Sequence, residues 1–205
     1  MSDDNISEGL HMMHQFNLNF VQVIDTKDDS YFSKTEILEI ITTIKENYIH
    51  LIWFKLLYSF GMTLFELVNL KVKDIDFVSA KINIHSSKKL MSRSLDIPEA
   101  LLRELRIQCE RKFPESYLFH GRGGKLHTRT IQKALEKVES KLNIQITISK
   151  IRKSIAVHLL QNGWDYRAIG EFLGHAHYRA TRNLLGPNSK KYRKSIAPLD
   201  EILNP

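Results

Sequence analysis

The chain has 205 residues, of which 42% are apolar and 26% charged; this length and composition predict one globular domain, with or without a tail, and exclude a membrane-spanning or low-complexity protein. Its only cysteine, Cys109, excludes an intramolecular disulfide and a cysteine-rich metal site, and its acidic N-terminus is unlike a secretory signal, so we expect a cytoplasmic protein. The net charge of +7 is uneven, because residues 120–194 sum to +12 whereas residues 1–30 sum to −5.

The first part of the chain is predicted to be a tail followed by helices. Residues 1–32 have no sustained apolar period and are assigned to an acidic N-terminal tail or arm, and residues 33–205 to the domain. Ser33 and Glu36 have the spacing of a capping box, which starts a helix. Apolar spacing predicts helices at 33–44, 49–60 and 64–70.

A small sheet and further helices are predicted after residue 74. Alternating apolar residues at 75–77, 82–84 and 95–97 predict three short antiparallel strands. Helices are predicted at about 98–112, 131–142, 149–161 and 165–173, with Gly174 as a C-cap, a loop at 121–125, and a final short helix at 196–203. The fold class is therefore mainly α (α+β), a helical fold with a small three-stranded antiparallel sheet.

Three basic segments are candidates for contacts with a polyanion, which the charge of the second half attracts. The hairpin at 85–93 carries lysines at its tip, although a solvated turn has the same composition. The segment 149–153 combines the free N–H groups of a helix start with Arg152, although Ser149 can also serve only as a cap. The loop at 121–125 is rich in glycine and basic residues.

Neither a metal nor another cofactor is predicted. His175 and His177 are not accompanied by a cluster of carboxylates or cysteines, so a metal site is not expected there. The loop at 121–125 lacks the spacing of a phosphate-binding P-loop, so nucleotide binding is not expected either.

Ordered segments of the chain resemble the catalytic domain of tyrosine recombinases, the phage-type integrases. Residues 57–67, LYSFGMTLFEL, are similar to the first box of that family, which contains TGLRxSEL. The lysine hairpin comes next, as in that family, and residues 149–163, SKIRKSIAVHLLQNG, are similar to HDLRHTFATHLLNNG. Residues 169–175, IGEFLGH, resemble the LLGH segment, and Thr181 matches a threonine of the family. The resemblance covers about residues 33–203.

The resemblance implies the chemistry of DNA strand transfer. In that family a tyrosine hydroxyl attacks a DNA phosphodiester and forms a 3′-phosphotyrosine, while two arginines and a histidine stabilise the charge on the phosphate oxygens. A hairpin lysine protonates the leaving oxygen, and no metal or nucleotide is needed. Residue by residue, Arg152 matches the second arginine, His175 the histidine of the LLGH segment, and Lys88 or Lys89 the lysine.

Three positions depart from the family pattern. Thr63 stands where the first arginine is expected, Ser149 where the histidine of the second box is expected, and Leu184 where the tyrosine is expected. Losing one oxyanion donor costs roughly 10²–10³ in rate, losing a phosphoryl-binding arginine about 10³–10⁵, and a covalent route without a nucleophile has no first step. We therefore predict a degenerate family member, a pseudoenzyme that lacks strand transfer.

The predicted partner is DNA, bound mainly through its phosphates, and the predicted role is that of an accessory or regulatory factor in recombination or integration, associated with the nucleoid when DNA-bound. The resemblance also places the helix at 196–203 where family members contact a neighbouring protomer, which predicts self-association or assembly with an active recombinase. The predicted DNA-binding residues are Lys88, Lys89, Arg93, Arg122, Lys125, Arg129, Lys133, Arg152, Lys153 and His175.

Two alternatives remain open. The first is an active recombinase with a relocated nucleophile, for which Tyr192 and Tyr178 are the candidates. The second is a transcription regulator in which residues 165–184 form a helix-turn-helix, with Arg179 and Arg182 on its second helix.

Overall fold

The computed structural model describes residues 29–86 and 90–187, and the helices and strands lie in the compact unit that begins at Tyr31. Most of the acidic arm, the hairpin lysines Lys88 and Lys89, Tyr192 and the predicted helix at 196–203 lie outside the described residues. The described residues form the helices α1 Lys34–Ile44, α2 Tyr48–Ser59, α3 Leu64–Asn69, α4 Glu99–Cys109, α5 Thr128–Leu142, α6 Ile148–Gln161, α7 Tyr166–Leu173 and α8 Tyr178–Leu185. The strands are β1 Ile75–Asp76, β2 Lys81–Ile84, β3 Arg93–Asp96, β4 His120–Gly121 and β5 Gly124–Lys125.

The first three helices follow in the predicted order. The capping box of α1 is complete, because Ser33 Oγ accepts from the N–H of Glu36 and the Glu36 carboxylate accepts from the N–H of Ser33. The apolar helix α2 leads into Gly61, which adopts the left-handed φ of +55°. A Cβ at Gly61 would lie 2.3 Å from Leu173 Cδ2, so this glycine also allows the end of α7 to approach closely.

The sheet has the predicted antiparallel topology, in the order β1–β2–β3. Ile82 pairs with Ile75 on one side and with Leu95 on the other. Because the register continues to the pair of Ile84 with Arg93, β3 begins two residues earlier than the alternation alone predicts. Arg93 therefore belongs to the sheet rather than to the tip of the hairpin.

Three elements differ from the prediction. β4 and β5 pair His120 with Lys125 where a loop is predicted, and Gly124 adopts a φ of +99° at the start of β5, directly after the turn. α6 begins at Ile148, since Thr147 rather than Ser149 provides the capping oxygen. α8 is predicted only in the helix-turn-helix alternative, as the second helix that carries Arg179 and Arg182, and not from apolar spacing.

The buried apolar residues form two clusters. The larger joins α1–α6 and the sheet and includes Phe54 and Ile151, whereas the smaller lies among α6, α7 and α8 and includes Ala156 and Leu173. Because α6 contributes Ile151 to one cluster and Ala156 to the other, its polar residues are held rigidly between them. None of the helices in the described part of the chain has the length and hydropathy of a membrane span.

Candidate anion-binding site

The guanidinium of Arg152 lies at the meeting point of three helix ends. The residue is on α6 and only 8% exposed. Its Nη1 donates to the carbonyl of Gly61, after the end of α2, and its Nη2 donates at 3.2 Å to the carbonyl of Leu173, at the end of α7. Burial lowers the pKa of Arg152 to about 10, which still leaves the side chain cationic at neutral pH.

His175 lies against this guanidinium. Its Nε2 accepts from Arg152 Nη2 at 3.2 Å, which places the ring proton on Nδ1, and Nδ1 donates to Thr181 Oγ1 at 2.9 Å. Burial, together with the smaller effects of the Arg152 and Arg93 charges, lowers the pKa of His175 to about 4. At neutral pH His175 is therefore an uncharged hydrogen-bonding group.

A buried ion pair between Glu66 and Arg93 lies beside these two residues. Glu66 of α3 is 2% exposed, and Arg93 Nη1 donates to its Oε1 at 2.6 Å. Burial raises the pKa of Glu66, but the hydrogen bond and charge of Arg93 outweigh this effect, so the pKa falls below its usual value and Glu66 is an anion. We call Arg152, His175, Glu66 and Arg93 the arginine cluster.

The lysine hairpin is attached to the arginine cluster at both ends of its tip. On one side, Ser86 Oγ donates to Glu66 Oε1. On the other side, Leu90 forms a β-bridge with His175, and the N–H of Met91 donates to the carbonyl of Gly174 at 2.7 Å. The flanks of the predicted lysines are thus at the site, while Lys88 and Lys89 themselves lie outside the described residues.

The three departing positions have local structural roles in this chain. Thr63 is the N-cap of α3, and its N–H donates to Glu66 Oε2 at 2.7 Å in a complete capping box. Ser149 is exposed in the first turn of α6. Leu184 packs as a half-buried residue against the smaller apolar cluster.

The remaining predicted DNA-binding residues are dispersed over the surface. Arg122 and Lys125 are exposed on the β4–β5 hairpin, where Lys125 Nζ contacts Asn69 Oδ1 at the end of α3. On α5, Arg129 forms an exposed ion pair with Glu136 at 2.7 Å and Lys133 is exposed. Lys153 is half-buried on α6, one residue after Arg152, so the arginine cluster unites only Arg93, Arg152 and His175 of the predicted set.

The described residues on which the relocated-nucleophile and helix-turn-helix alternatives depend lie on α8. Tyr178 opens α8, is 57% exposed and has its ring 5.8 Å from that of Tyr166. Arg179 and Arg182 are exposed on α8, which packs against α7. No group of three metal-ligating side chains occurs within residues 29–86 and 90–187.

Two buried polar features were not predicted from the sequence. Glu66 lies in the first box, at the third position of α3, where its sequence context predicts a capping role. Its ion-pair partner Arg93 comes from β3, so the local sequence does not predict this pair. Tyr58 and His158 form a 2.7 Å hydrogen bond between α2 and α6, and their separation by 100 residues leaves no local signal.

Comparison with known proteins gives the same architecture. The sequence profile of the phage integrase family matches residues 30–188. Tyrosine recombinase XerA of Pyrococcus furiosus is 32% identical over 69% of this chain and 51% of that protein. Tyrosine recombinase XerC of Pelotomaculum thermopropionicum is 31% identical over 68% of this chain and 51% of that protein. The chain thus spans about half the length of these curated relatives.

Solved structures confirm the predicted fold class. The crystal structure of XerA recombinase superposes with a TM-score of 0.67, over 85% of this chain and 64% of that chain, at 24% identity. The catalytic domain of bacteriophage HP1 integrase superposes with a TM-score of 0.61, over 85% of this chain and 95% of that chain, at 17% identity. The mainly helical domain with its small antiparallel sheet is therefore the fold of a recombinase catalytic domain.

The buried ion pair predicts a large effect of removing one charge. Glu66→Gln leaves the Arg93 cation buried without a counter-charge, and we expect it to lower the free energy of unfolding by roughly 3 kcal/mol, measured by urea denaturation. Glu115→Gln is the matched control, because Glu115 pairs with Lys71 and Lys73 on the exposed surface. Equal unfolding midpoints for the two variants would contradict the role given to Glu66.

The buried His158 and the half-buried His175 predict a loss of stability in acid. Burial lowers the pKa of His175 and of His158 to about 4, with Lys34 adding to the effect at His158. In the unfolded chain the histidine pKa values are about 6.5, so between about pH 4 and pH 6.5 the unfolded state binds more protons than the native state. The contribution of the neutral histidines to the free energy of unfolding is therefore fully present above about pH 6.5 and is lost as the pH falls toward 4. Urea denaturation across this range tests the slope, and His158→Gln should reduce it; an unchanged slope would be incompatible with a neutral buried His158.

Proposed function

Because the chain belongs to the phage integrase family, we propose that it binds DNA and acts as an accessory or regulatory factor in recombination or integration, without strand-transfer activity of its own. The observation that carries the proposal is the combination of an assembled arginine cluster with a leucine, Leu184, at the position that matches the nucleophile. A leucine side chain offers no oxygen for attack on a phosphodiester.

Charge supports the DNA-binding part of the proposal. The arginine cluster holds two guanidinium groups against one carboxylate, because His175 is neutral, so its net charge is positive. The β4–β5 hairpin adds the positive charges of Arg122 and Lys125, and the net charge of residues 120–194 is +12. Solved neighbours of the same fold include XerH site-specific recombinase bound to palindromic difH substrate. We propose that this chain likewise receives a DNA phosphate at Arg152.

The same cluster supports the absence of strand transfer. Arg152 and His175 supply part of the charge stabilisation. Thr63 Oγ1 accepts from the N–H of Glu66, the N–H of Thr63 donates to the Glu66 carboxylate, and Thr63 carries no positive charge. A missing phosphoryl-binding arginine costs about 10³–10⁵ in rate, so the site retains binding groups and lacks the means to stabilise a phosphorane fully. The exposed Tyr178 and the undescribed Tyr192 are the alternative nucleophiles.

The proposed partner of the C-terminal segment is a second recombinase-family protomer, either a copy of this chain or an active enzyme. Support comes from the apolar spacing of Ile196, Leu199, Ile202 and Leu203, which is that of a helix with one apolar face. Such a face favours burial against another surface rather than exposure to water. The location in the cytoplasm, at the nucleoid when DNA-bound, follows from the same proposal.

Phosphate-dominated binding predicts a steep dependence on salt. Fluorescence anisotropy with a duplex of random sequence should give a log–log salt slope that falls by about 0.9 when Lys125 is replaced by Gln and by a similar amount for Arg122→Gln. Arg103→Gln, exposed on α4, is the control and should leave the slope unchanged. If the wild-type chain shows no binding even at low salt, the DNA-binding proposal is wrong.

Absence of the nucleophile predicts that no covalent complex forms. The wild-type chain incubated with a pool of nicked genomic duplexes should leave no protein–DNA adduct on a denaturing gel, because the expected attacking oxygen is missing at Leu184. Tyr192→Phe and Tyr178→Phe serve as controls for a relocated nucleophile. An adduct that disappears in either variant would replace the accessory role by an active one.

The assembly proposal predicts a change of mass on truncation. Size-exclusion chromatography with light scattering should find an oligomer for the full chain alone, or a mixed complex when an active recombinase is added. A chain that ends at Lys194 should elute as a monomer. Indistinguishable masses for the two chains would remove the C-terminal segment from the interface.

A further inference from the structure

A cleft that the proposed function does not use lies between β3 and α7. One wall is formed by the segment 91–95, and the other by four residues between 164 and 172, on α7 and just before it. Its volume is about 430 Å³, within the range of roughly 300–1,000 Å³ that is typical of small-molecule sites. In the described part of the chain neither Arg152 nor Glu66 lines it, so it is a separate space beside the arginine cluster. We call it the β3–α7 cleft.

The α7 side of the cleft carries an accessible aromatic pair. Trp164 is 41% exposed, and its ring lies edge-on to that of the half-buried Phe172, with the centroids 5.8 Å apart and an angle of 83° between the planes. The half-buried Leu95 and the exposed Met91 line the opposite wall. An aromatic ring placed between these walls would remove apolar surface from water, which is favourable. The shape and chemistry of the walls therefore fit a flat aromatic body.

One buried donor that lines the cleft has no acceptor. The side chain of Arg93 is only 5% exposed. Its Nη1 donates to Glu66 and its Nη2 to the carbonyl of Phe60, whereas its Nε has no hydrogen-bond partner among the described residues. A buried N–H without an acceptor is costly and is rare in native structures. An oxygen atom that a ligand brings into the cleft would satisfy this donor.

The charge around Arg93 favours a carboxylate as that acceptor. The arginine cluster has a net positive charge, because two guanidinium groups face one carboxylate and its histidine is neutral. Among the described residues the only acidic one that lines the cleft is Glu171, which is exposed and pairs with Arg167 at 3.1 Å. A guanidinium N–H forms a shorter and stronger hydrogen bond with a carboxylate than with a neutral oxygen.

The cleft also adjoins the attachment of the lysine hairpin. The N–H of Met91 donates to the carbonyl of Gly174 at 2.7 Å, and both residues line the cleft. A Cβ at Gly174 would lie 2.6 Å from the carbonyl oxygen of Met91, so the hairpin and the end of α7 are in close contact there. A molecule that touches both segments would add to the contacts between them.

We propose that the β3–α7 cleft binds a small aromatic carboxylate. The ring of this ligand packs against Trp164, Phe172 and Leu95, and its carboxylate accepts a hydrogen bond from Arg93 Nε. The inference goes beyond the proposed function, because the site requires no DNA and uses the one nitrogen of Arg93 that the arginine cluster leaves without a partner. A bound ligand also holds the base of the lysine hairpin, at Met91, to the end of α7.

The first test is NMR spectroscopy of the full chain with 1-naphthoate at millimolar concentration. The indole N–H signal of Trp164 and the amide signal of Met91 should shift until the site is saturated. The indole signal of Trp53, which is buried against Phe119 on α2, is the internal control and should stay in place. 1-Naphthamide has the same rings without the charge and should bind at least about tenfold more weakly.

A pair of matched variants tests the location of the ligand. Ala168 is half-buried in the wall of the cleft, so Ala168→Leu should fill part of the space and weaken the binding of 1-naphthoate at least about tenfold. Ala100→Leu adds the same side chain at an exposed position of α4 and should leave the affinity unchanged. The unfolding midpoints of both variants, measured in urea, show whether the fold is retained.

Three results would overturn the proposal. A Trp164 signal that does not move with 1-naphthoate removes the site, and this measurement on the wild-type chain does not depend on whether a variant folds. Equal affinities for 1-naphthoate and 1-naphthamide remove the carboxylate, and equal affinities of the two folded variants remove the cleft as the location. Duplex binding is measured separately, so a failure of this proposal leaves the proposed function intact.

Discussion

The burial of one guanidinium organises this domain. A cation removed from water requires acceptors at close range, and Arg152 finds them in the carbonyls of Gly61 and Leu173 and in the ring of His175. Those acceptors belong to the end of α2 and to the end of α7 with the turn after it, so three helices meet at one side chain. Moving any of them would leave a buried charge unsatisfied, and α6, which carries Arg152, also contributes to both apolar clusters.

A second buried charge is balanced by a carboxylate. The Glu66 carboxylate accepts hydrogen bonds from Arg93 of the sheet, from Ser86 of the lysine hairpin and from the N–H of Thr63, the N-cap of its own helix. In the family pattern an arginine stands at the position of Thr63, whereas here that position caps α3 through Glu66. The hydrogen bonds that hold the hairpin to α3 are therefore formed with a threonine at position 63.

These two features separate binding from chemistry in our interpretation. The hydrogen-bond partners of Arg152 and His175 hold these side chains in the fold, and under the proposed function the same side chains bind a DNA phosphate. In this chain the two positions that the proposal treats as lost catalytic residues have packing roles, because Thr63 caps α3 and Leu184 packs against the smaller apolar cluster. The basic residues of the β4–β5 hairpin and of α5 then provide a surface on which a phosphate backbone can be held without being cut. The part of this chain that matches the curated relatives spans about half of their length.

Local chemistry made much of the fold predictable. The capping box of Ser33 and Glu36, the apolar spacing of α5 and the alternation around Ile82 each depend on residues close in sequence, and the structure confirms all three. The ordered boxes also identified the family, since their residues must meet at one site in every member. Arg93 was predicted as a surface DNA contact, but its side chain is 5% exposed because the register of β3 turns it toward Glu66; a direct contact with DNA stays a prediction.

The contacts between residues that are distant in sequence were decided only by the tertiary structure. The pairing of Arg93 with Glu66, the acceptors of Arg152 and the bond between Tyr58 and His158 join residues that are 21 to 100 positions apart. The sequence specifies that these groups are polar and which helices or strands carry them. It does not show which of these groups are buried next to each other. Their pKa values, charges and partners follow from that shared burial, which depends on how the helices pack.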